Sequence, residues 1–173
     1  MEKEMLNVNE DFPAFSLNGV NAENQMVKVT EEQMLGSWSV VYFYPKDFTF
    51  ICPTEIQEMD ILTEEAIVMG VSADNEFCKL AWKQDNQLIS GIRHTLAADC
   101  GLNLADECRV IDHQENVALR ATFIMDPNGI VKHASCNALD TGRNAKEILR
   151  TLQALKAGGM TGCSWEPGDQ LIA

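Results

Sequence analysis

The chain has 173 residues, 46% hydrophobic and 23% charged, with a formal net charge of −13. That length and balance describe one ordinary globular domain of roughly 16 Å radius of gyration, with enough apolar mass for a core. So acidic a surface argues against nucleic acid and anionic membrane as partners. The opening Met1-Glu2-Lys3-Glu4-Met5-Leu6-Asn7 carries no apolar leader, and no stretch approaches the ~18 apolar residues of a membrane helix, so the expected location is the cytoplasm.

From the N-terminus, Phe12-Pro13-Ala14-Phe15-Ser16-Leu17 alternates in character, Asn18-Gly19 follows, and Met26-Val27-Lys28-Val29 answers it. This predicts a hairpin with a longish loop. Thr30-Glu31-Glu32-Gln33 reads as one capped helical turn that Gly36 ends. Residues 38–44 form an apolar run rich in Val, Tyr and Phe, as a buried strand requires. Pro45 stops its pairing, because proline has no N–H to donate. Ile56, Met59 and Leu62 then recur at helical spacing, which places Cys52 in or just before the first turn of a helix. Either Thr49 caps that helix, or a Thr54/Gln57 capping box starts it two residues after Cys52.

Residues 66–71 predict a second buried strand, so strand, helix and strand make a βαβ unit with the two strands parallel. Ser72 or Asp74 is expected to cap the next helix, with Phe77, Leu80, Ala81 and Leu88 on its buried face and Trp82 in the core. His94-Thr95-Leu96-Ala97 predicts a short strand. Residues 99–111 carry no clear period. Cys100 and Cys108 could share one helix face there, about 12 Å apart by helical rise and beyond disulfide reach. Residues 121–125, Asp126-Pro127-Asn128-Gly129 and residues 130–134 spell a hairpin around a type I turn. The last helix is expected over residues 143–156, with Ala145, Ile148, Leu149, Leu152 and Leu155 as its apolar stripe and Gly158-Gly159 beyond its end. The tail after it is too rich in Gly and Pro for a core element. The division is therefore a globular domain over residues 1–157 and a C-terminal tail over 158–173.

Chemistry concentrates at Cys52. Backbone N–H groups at a helix start carry partial positive charge, and a thiolate there is stabilised relative to the thiol, as a nucleophilic cysteine requires. A single cysteine at such a junction is more commonly an inert buried thiol, and the wider string decides between the two readings. Tyr44-Pro45-Lys46-Asp47-Phe48-Thr49-Phe50-Ile51-Cys52-Pro53-Thr54-Glu55 closely resembles the active-site motif of the peroxiredoxins, in the alkyl hydroperoxide reductase C branch. Arg120-Ala121-Thr122-Phe123-Ile124-Met125-Asp126-Pro127 is similar to the family's second signature, and Thr141-Gly142-Arg143 to its third. The resemblance spans nearly the whole chain. The helix after Cys52 is several residues shorter than is usual in the family.

The resemblance implies a thioredoxin-like α/β fold, a central mixed sheet flanked by helices, which the order of predicted elements also suits. It implies a peroxidase that reduces hydrogen peroxide and organic hydroperoxides. Cys52 is then the peroxidatic nucleophile, Pro45 shields its sulfur, Thr49 hydrogen-bonds the peroxide and Arg120 stabilises the charge, with Glu55 and Arg143 orienting Arg120. An arginine on a strand is ordinarily a solvated surface residue; only its place in the matched signature assigns it this role. The sulfenic acid product needs a second thiol. Cys163, on the Gly-rich tail beside Trp165 and Pro167, is that resolving cysteine by resemblance, reaching in from a neighbouring subunit of a homodimer that assembles into a ring. The family usually places this cysteine four residues before the tryptophan, where Thr161 stands here. Cys163 occupies the shifted place found in a subset related to the mycobacterial enzymes. Cys78, Cys100, Cys108 and Cys136 remain as further thiols.

No cofactor is implied. The six cysteines include no Cys-x-x-Cys pair and the three histidines are scattered, so neither a metal site nor a general thiol–disulfide oxidoreductase is spelled out. The reductant is expected to be a dithiol protein: a small Cys-x-x-Cys partner of the kind found with the mycobacterial-type enzymes, a thioredoxin or a flavoprotein reductase. The alternative is a ring-forming holdase. Against it, the chain has no Gly-Gly-Leu-Gly string and no C-terminal Tyr-Phe, the elements linked with easy hyperoxidation.

Overall fold

A computed structural model describes residues 4–173; the first three residues of the opening segment lie outside it. Strands β1 (Ser16–Val20) and β2 (Met26–Thr30) form the N-terminal hairpin. Asn18-Gly19 lies within β1, contrary to its turn-like sequence. The reversal comes at Asn21 to Gln25, where the Asn21 side chain accepts from the Gln25 N–H at 2.8 Å and Asn24 takes a left-handed φ of 60°. The 3₁₀ turn Glu31–Met34 follows as predicted, with Gln33 accepting from the Thr30 N–H.

Strand β3 (Ser39–Phe43) is buried along its whole length, between parallel β4 (Ile67–Ser72) and antiparallel β8 (Arg120–Met125). Between β3 and β4 runs helix α1 (Cys52–Met59), continued by a 3₁₀ turn (Asp60–Glu64). Neither predicted cap forms. The residue before α1 is Ile51, in helical conformation and without a side-chain cap. The Thr49 hydroxyl donates to the Lys46 carbonyl at 2.8 Å and the Thr54 hydroxyl to the Ile51 carbonyl at 2.6 Å. Both threonines thus close their own turns, a local bond that competes with capping.

Helix α2 (Glu76–Asp85) departs further from its sequence pattern. Its cap is Asn75, which accepts from the Cys78 N–H at 2.8 Å, not Ser72 or Asp74. Its inward residues are Lys79, Trp82 and Lys83, while Phe77 is 66% exposed and Leu88 and Ala81 face out. Hydrogen bonds invert the expected face. Lys79 Nζ reaches Tyr44 Oη at 2.9 Å, Ser72 Oγ at 2.5 Å and Asp47 at 3.3 Å, and Lys83 Nζ reaches the Asn21 carbonyl at 2.6 Å. Periodicity alone ranks a lysine as outward because it cannot see such partners.

Strand β5 (Thr95–Ala98) joins the sheet as predicted. The unread stretch after it holds helix α3 (Asn103–Glu107), capped by both Asp99 oxygens, and the small ladder of β6 (Ile111–Asp112) with β7 (Val117–Ala118). Cys100 precedes α3 and is exposed while Cys108 is buried, so the two do not share a helix face. Strand β9 (Val131–Asn137) pairs with β8 across the predicted Asp126–Gly129 turn, with Gly129 at φ 80°. Helix α4 (Ala145–Lys156) starts two residues later than expected, at the Asn144 cap.

The seven-stranded mixed sheet has the order β2-β1-β5-β4-β3-β8-β9. Two apolar cores lie against its faces. Val41, Phe43 and Phe123 point into one, with α3 and the N-terminal segment; Val40, Tyr42 and Ile124 point into the other, with α1, α2 and α4. This alternation is the period-2 geometry of a strand buried on both sides. The tail does not join the sheet, yet it packs. Trp165 is buried, Arg150 donates to its carbonyl at 2.8 Å, and Met160 exchanges backbone hydrogen bonds with Ile172 and Ala173.

One polar network lies inside the second core. Tyr42 Oη is 2.7 Å from His94 Nε2, and His94 Nδ1 is 2.7 Å from Asp60 Oδ1. Burial, only partly offset by Asp60, holds His94 below its ordinary value of 6.5. Burial also pushes Asp60 up, but hydrogen bonds from His94 and the Arg93 backbone outweigh it and bring the carboxyl from 3.8 to about 2. Both groups titrate lower in the folded chain, so their stabilisation is complete above the unfolded values and is lost as pH falls. Unfolding in urea should therefore show stability declining from pH 6.5 downward, by up to about 1.4 kcal/mol per unit of His94 shift. His94→Gln should flatten that part of the profile.

Candidate active site

Cys52 is the first residue of α1 and fully buried. The loop before it carries Pro45, buried, and Phe48 at φ 56°, a left-handed value that a bulky residue adopts only under constraint. The constraint is Asp47. Its N–H donates to Asp74 at 2.8 Å and its carboxylate accepts from Tyr44 Oη at 2.7 Å and from Lys79. Burial pushes the Asp47 carboxyl up and the Lys79 ammonium down, each partly countered by the other's charge.

Arg120 opens β8, 68 positions from Cys52 in the chain, and its Nη1 lies 3.4 Å from Cys52 Sγ. Its Nε donates to the Leu139 carbonyl at 2.8 Å, and Nη1 also donates to Glu55 Oε1. Glu55, one turn after Cys52 on α1, accepts with its other oxygen from Arg143 Nε at 2.8 Å. Arg143 is anchored in turn by the carbonyls of Ala121 and Phe43, and its guanidinium stands 5.0 Å over the Tyr42 ring. All three charged side chains are at most 5% exposed. Two buried guanidinium cations thus share one carboxylate, and the cluster keeps one unmatched positive charge directed at the sulfur. Burying such a charge is costly unless an anion answers it, and a thiolate at position 52 is the anion the geometry fits.

Arg120 also lines a cleft of about 390 Å³ with Pro45, Thr49, Phe50, Ile51, Val117 and Leu139, and with Lys46 and Glu115, which pair at 3.7 Å. The expected residues Pro45, Thr49, Cys52, Glu55, Arg120 and Arg143 therefore converge. Cys163 is exposed on the tail, and the structure places no bond between it and Cys52; all six cysteines are free thiols. Burial, reinforced by Asp47 and Asp74, pushes the Cys78 thiol up to about 11. Burial raises Cys108 as well, while Cys100 and Cys136 are exposed. Asp47, Asp74 and Cys78 bring one potential ligand atom each within 4.8 Å of one another, but Lys79 already supplies the cation there. Sequence reading missed the supports Asp47, Lys79 and Tyr42. Their only sequence signal is a polar group inside or beside an apolar run.

Comparison with known proteins gives likenesses of family, sequence and structure. The AhpC/TSA family profile matches residues 8–134. Alkyl hydroperoxide reductase C of Mycolicibacterium smegmatis is 35% identical over 97% of this chain and 94% of its own. Among solved structures, the reduced 2-Cys peroxiredoxin of Plasmodium vivax superposes with a TM-score of 0.88 at 32% identity, over 94% of this chain and 91% of that one. AhpC of Mycobacterium tuberculosis gives 0.85 at 31%, over 94% and 100%. The mixed sheet with helices on both faces is accordingly a thioredoxin-like fold.

Proposed function

Because this chain belongs to the AhpC/TSA family, we propose that it is a thiol-dependent peroxidase for hydrogen peroxide and organic hydroperoxides. The observation that carries the reading is Arg120 Nη1 at 3.4 Å from Cys52 Sγ, at the start of a helix and beside an open cleft. The Cys52 thiolate attacks the terminal peroxide oxygen. An S–O bond forms as the O–O bond breaks, Cys52 becomes the sulfenic acid, and the remaining oxygen leaves as alkoxide or hydroxide and takes a proton. Arg120 meets the developing negative charge, the form of stabilisation that contributes most when donors are held in place beforehand. The Thr49 hydroxyl already donates to Lys46, so its free lone pairs accept from the peroxide O–H. Pro45, buried beside the loop, keeps competing solvent from the sulfur.

Resolution by Cys163 of the partner subunit expels water and forms an intersubunit disulfide. Cys52 is 0% exposed, so the first turn of α1 must open for this step. That turn has no side-chain cap and a proline in its first two positions, so opening it breaks few bonds. Two features support a homodimer that builds a ring. Strand β9 is an unpaired sheet edge, which invites a second copy. The outer side of α2 with its neighbouring loop leaves Phe77 and Phe48 66% and 54% exposed. A dithiol protein of the small Cys-x-x-Cys kind, a thioredoxin or a flavoprotein reductase would return two electrons and two protons. No described helix is long and apolar enough to cross a membrane, which is consistent with work in the cytoplasm as part of antioxidant defence.

Pre-reduced protein mixed with peroxide should consume it within the mixing time of a stopped-flow experiment. It should also yield a Cys52–Cys163 cross-linked dimer on non-reducing gels; absence of both would reject the assignment. Cys163→Ser should leave the first turnover intact and stop recycling by each candidate dithiol donor. Unchanged recycling would hand the resolving role to Cys100 or another thiol.

A further inference from the structure

The Tyr42 ring supports Arg143. The Tyr42 hydroxyl, His94 and Asp60 play no part in the reaction just described, yet the chain keeps all three in its interior. Tyr42 is 0% and His94 3% exposed. Purely apolar packing would fill this volume at no desolvation cost. The neighbouring strand is also shaped to the phenol. A Cβ on Gly70 would stand 2.5 Å from Tyr42 Oη, so any side chain there would displace the hydroxyl from His94.

The protonation pattern follows from the partners. Asp60 is an anion, held by His94, the Arg93 N–H at 2.7 Å and Arg93 Nε at 3.1 Å. His94 donates Nδ1–H to it, so Nε2 is the free base that faces Tyr42 Oη at 2.7 Å. Lys83, Arg93, Arg143, Glu55 and the Cys52 sulfur are the other charged or ionisable groups that act on this pair. Removing an electron from a buried phenol leaves a strongly acidic radical cation, and a charge without a partner is expensive in an apolar interior. Here the proton can leave with the electron along a hydrogen bond already made. The ring then stays neutral, and the charge appears on an imidazolium that faces a carboxylate.

The chain's other tyrosine provides the contrast. Both rings carry a cation 5.0 Å over them, Lys79 on Tyr44 and Arg143 on Tyr42, so the difference lies at the oxygens. Tyr44 donates to Asp47 but also accepts from Lys79 Nζ at 2.9 Å, and an ammonium donating to the phenol oxygen opposes loss of an electron there, whereas the Tyr42 oxygen faces the His94 base at 2.7 Å. The rings nevertheless adjoin, with centroids 6.2 Å apart from Trp82 to Tyr44 and 6.2 Å from Tyr44 to Tyr42. A hole formed on Trp82 has a short path to Tyr42.

The geometry points to Tyr42 as a one-electron redox site with His94 as its proton acceptor, a second chemistry beside the two-electron chemistry of Cys52 and independent of it. An oxidising radical, such as a thiyl or azidyl radical, takes one electron and becomes the anion. The phenolic proton moves to His94 Nε2, and a neutral phenoxyl radical remains on Tyr42. A one-electron donor of lower potential that is not a thiol, such as an enediol, restores the phenol as the proton returns. Such a site draws radical damage away from the sulfur.

The test is pulse radiolysis of the full-length protein in azide solution, with azidyl radical as the oxidant and phenoxyl absorbance and EPR as readouts. The chain has only two tyrosines, which makes the assignment clean. The wild type should form phenoxyl as tryptophan radicals decay; Tyr42→Phe should abolish it and Tyr44→Phe should retain it. His94→Gln keeps a hydrogen-bonding side chain but no base, and should shorten the phenoxyl lifetime about tenfold or more, the factor for losing one charge-assisted hydrogen bond. The proposal is overturned if radicals rest only on tryptophan, if the signal follows Tyr44, or if His94→Gln leaves the lifetime unchanged. Should Tyr42→Phe not fold, the His94→Gln lifetime decides alone.

Discussion

Cys52→Ser should abolish peroxide reduction, lowering turnover on the order of 10⁴-fold or more, the scale of deleting a nucleophile from an otherwise intact site. The rest of the centre survives the change. Arg120 still donates to Glu55 and to the Leu139 carbonyl, and Arg143 still bridges Glu55 to the sheet. What is lost is the nucleophile of the proposed reaction. A serine hydroxyl does not ionise near neutral pH, so no electron pair of sufficient reactivity faces the O–O bond, however well the cation is placed. The substitution removes little volume and its hydroxyl can accept from Arg120, but the buried Arg120 charge is no longer answered by an anion, so the thermal midpoint should fall. Stopped-flow peroxide consumption by reduced protein is the measurement. Retained turnover would transfer the nucleophile to another cysteine. Cys78 and Cys108 are poor heirs, because burial raises both thiols.

Glu55→Ala should be the most destabilising single change at the site, costing about 3–5 kcal/mol, as expected when one partner is taken from a buried ion cluster. Glu55 is 2% exposed at its side chain and is, among the described residues, the only carboxylate shared by Arg120 and Arg143. Without it, two guanidinium groups that meet through that carboxylate are left uncompensated in a low-dielectric interior. Arg143 keeps its carbonyl partners at Ala121 and Phe43, so Arg120 is the side chain free to swing away. Peroxide reactivity should then fall together with stability. Urea denaturation should show a lower midpoint with an unchanged slope. A Glu55→Ala, Arg143→Met double-mutant cycle should return a coupling energy above about 1 kcal/mol. An unshifted midpoint would mean that the cluster is solvated in solution, and the account of charge at the sulfur would fall with it.

The two forecasts differ in how far the chain foretold them. The nucleophile is a local feature. An apolar strand, a proline and a helix period follow one another over residues 38–62, and their order alone puts Cys52 in or just before the first turn of a helix. The matched string also supplied Pro45, Thr49 and Glu55, and the two later signatures supplied Arg120 and Arg143. The caps were less legible. Thr49 and Thr54 have capping side chains, but each bonds back to a nearby carbonyl instead. Helix α2 was misread on its face, since Lys79 and Lys83 turn inward to oxygen atoms supplied by Tyr44, Ser72, Asp47 and Asn21.

By itself the amino-acid order determined what depends on neighbours in the chain: the strand and helix periods, the hairpin turn at Asp126, the strand–helix junction under Cys52 and the acidic character of the surface. Tertiary structure decided which polar groups may live inside. Arg120 reaches Cys52 across 68 positions and His94 reaches Tyr42 across 52, because strand order sets β8 and β4 on either side of β3, with β5 beyond β4. A buried charge or hydroxyl is tolerated only where a partner stands within hydrogen-bond reach, and that partner is chosen by the packing of the sheet and not by any pattern along the chain.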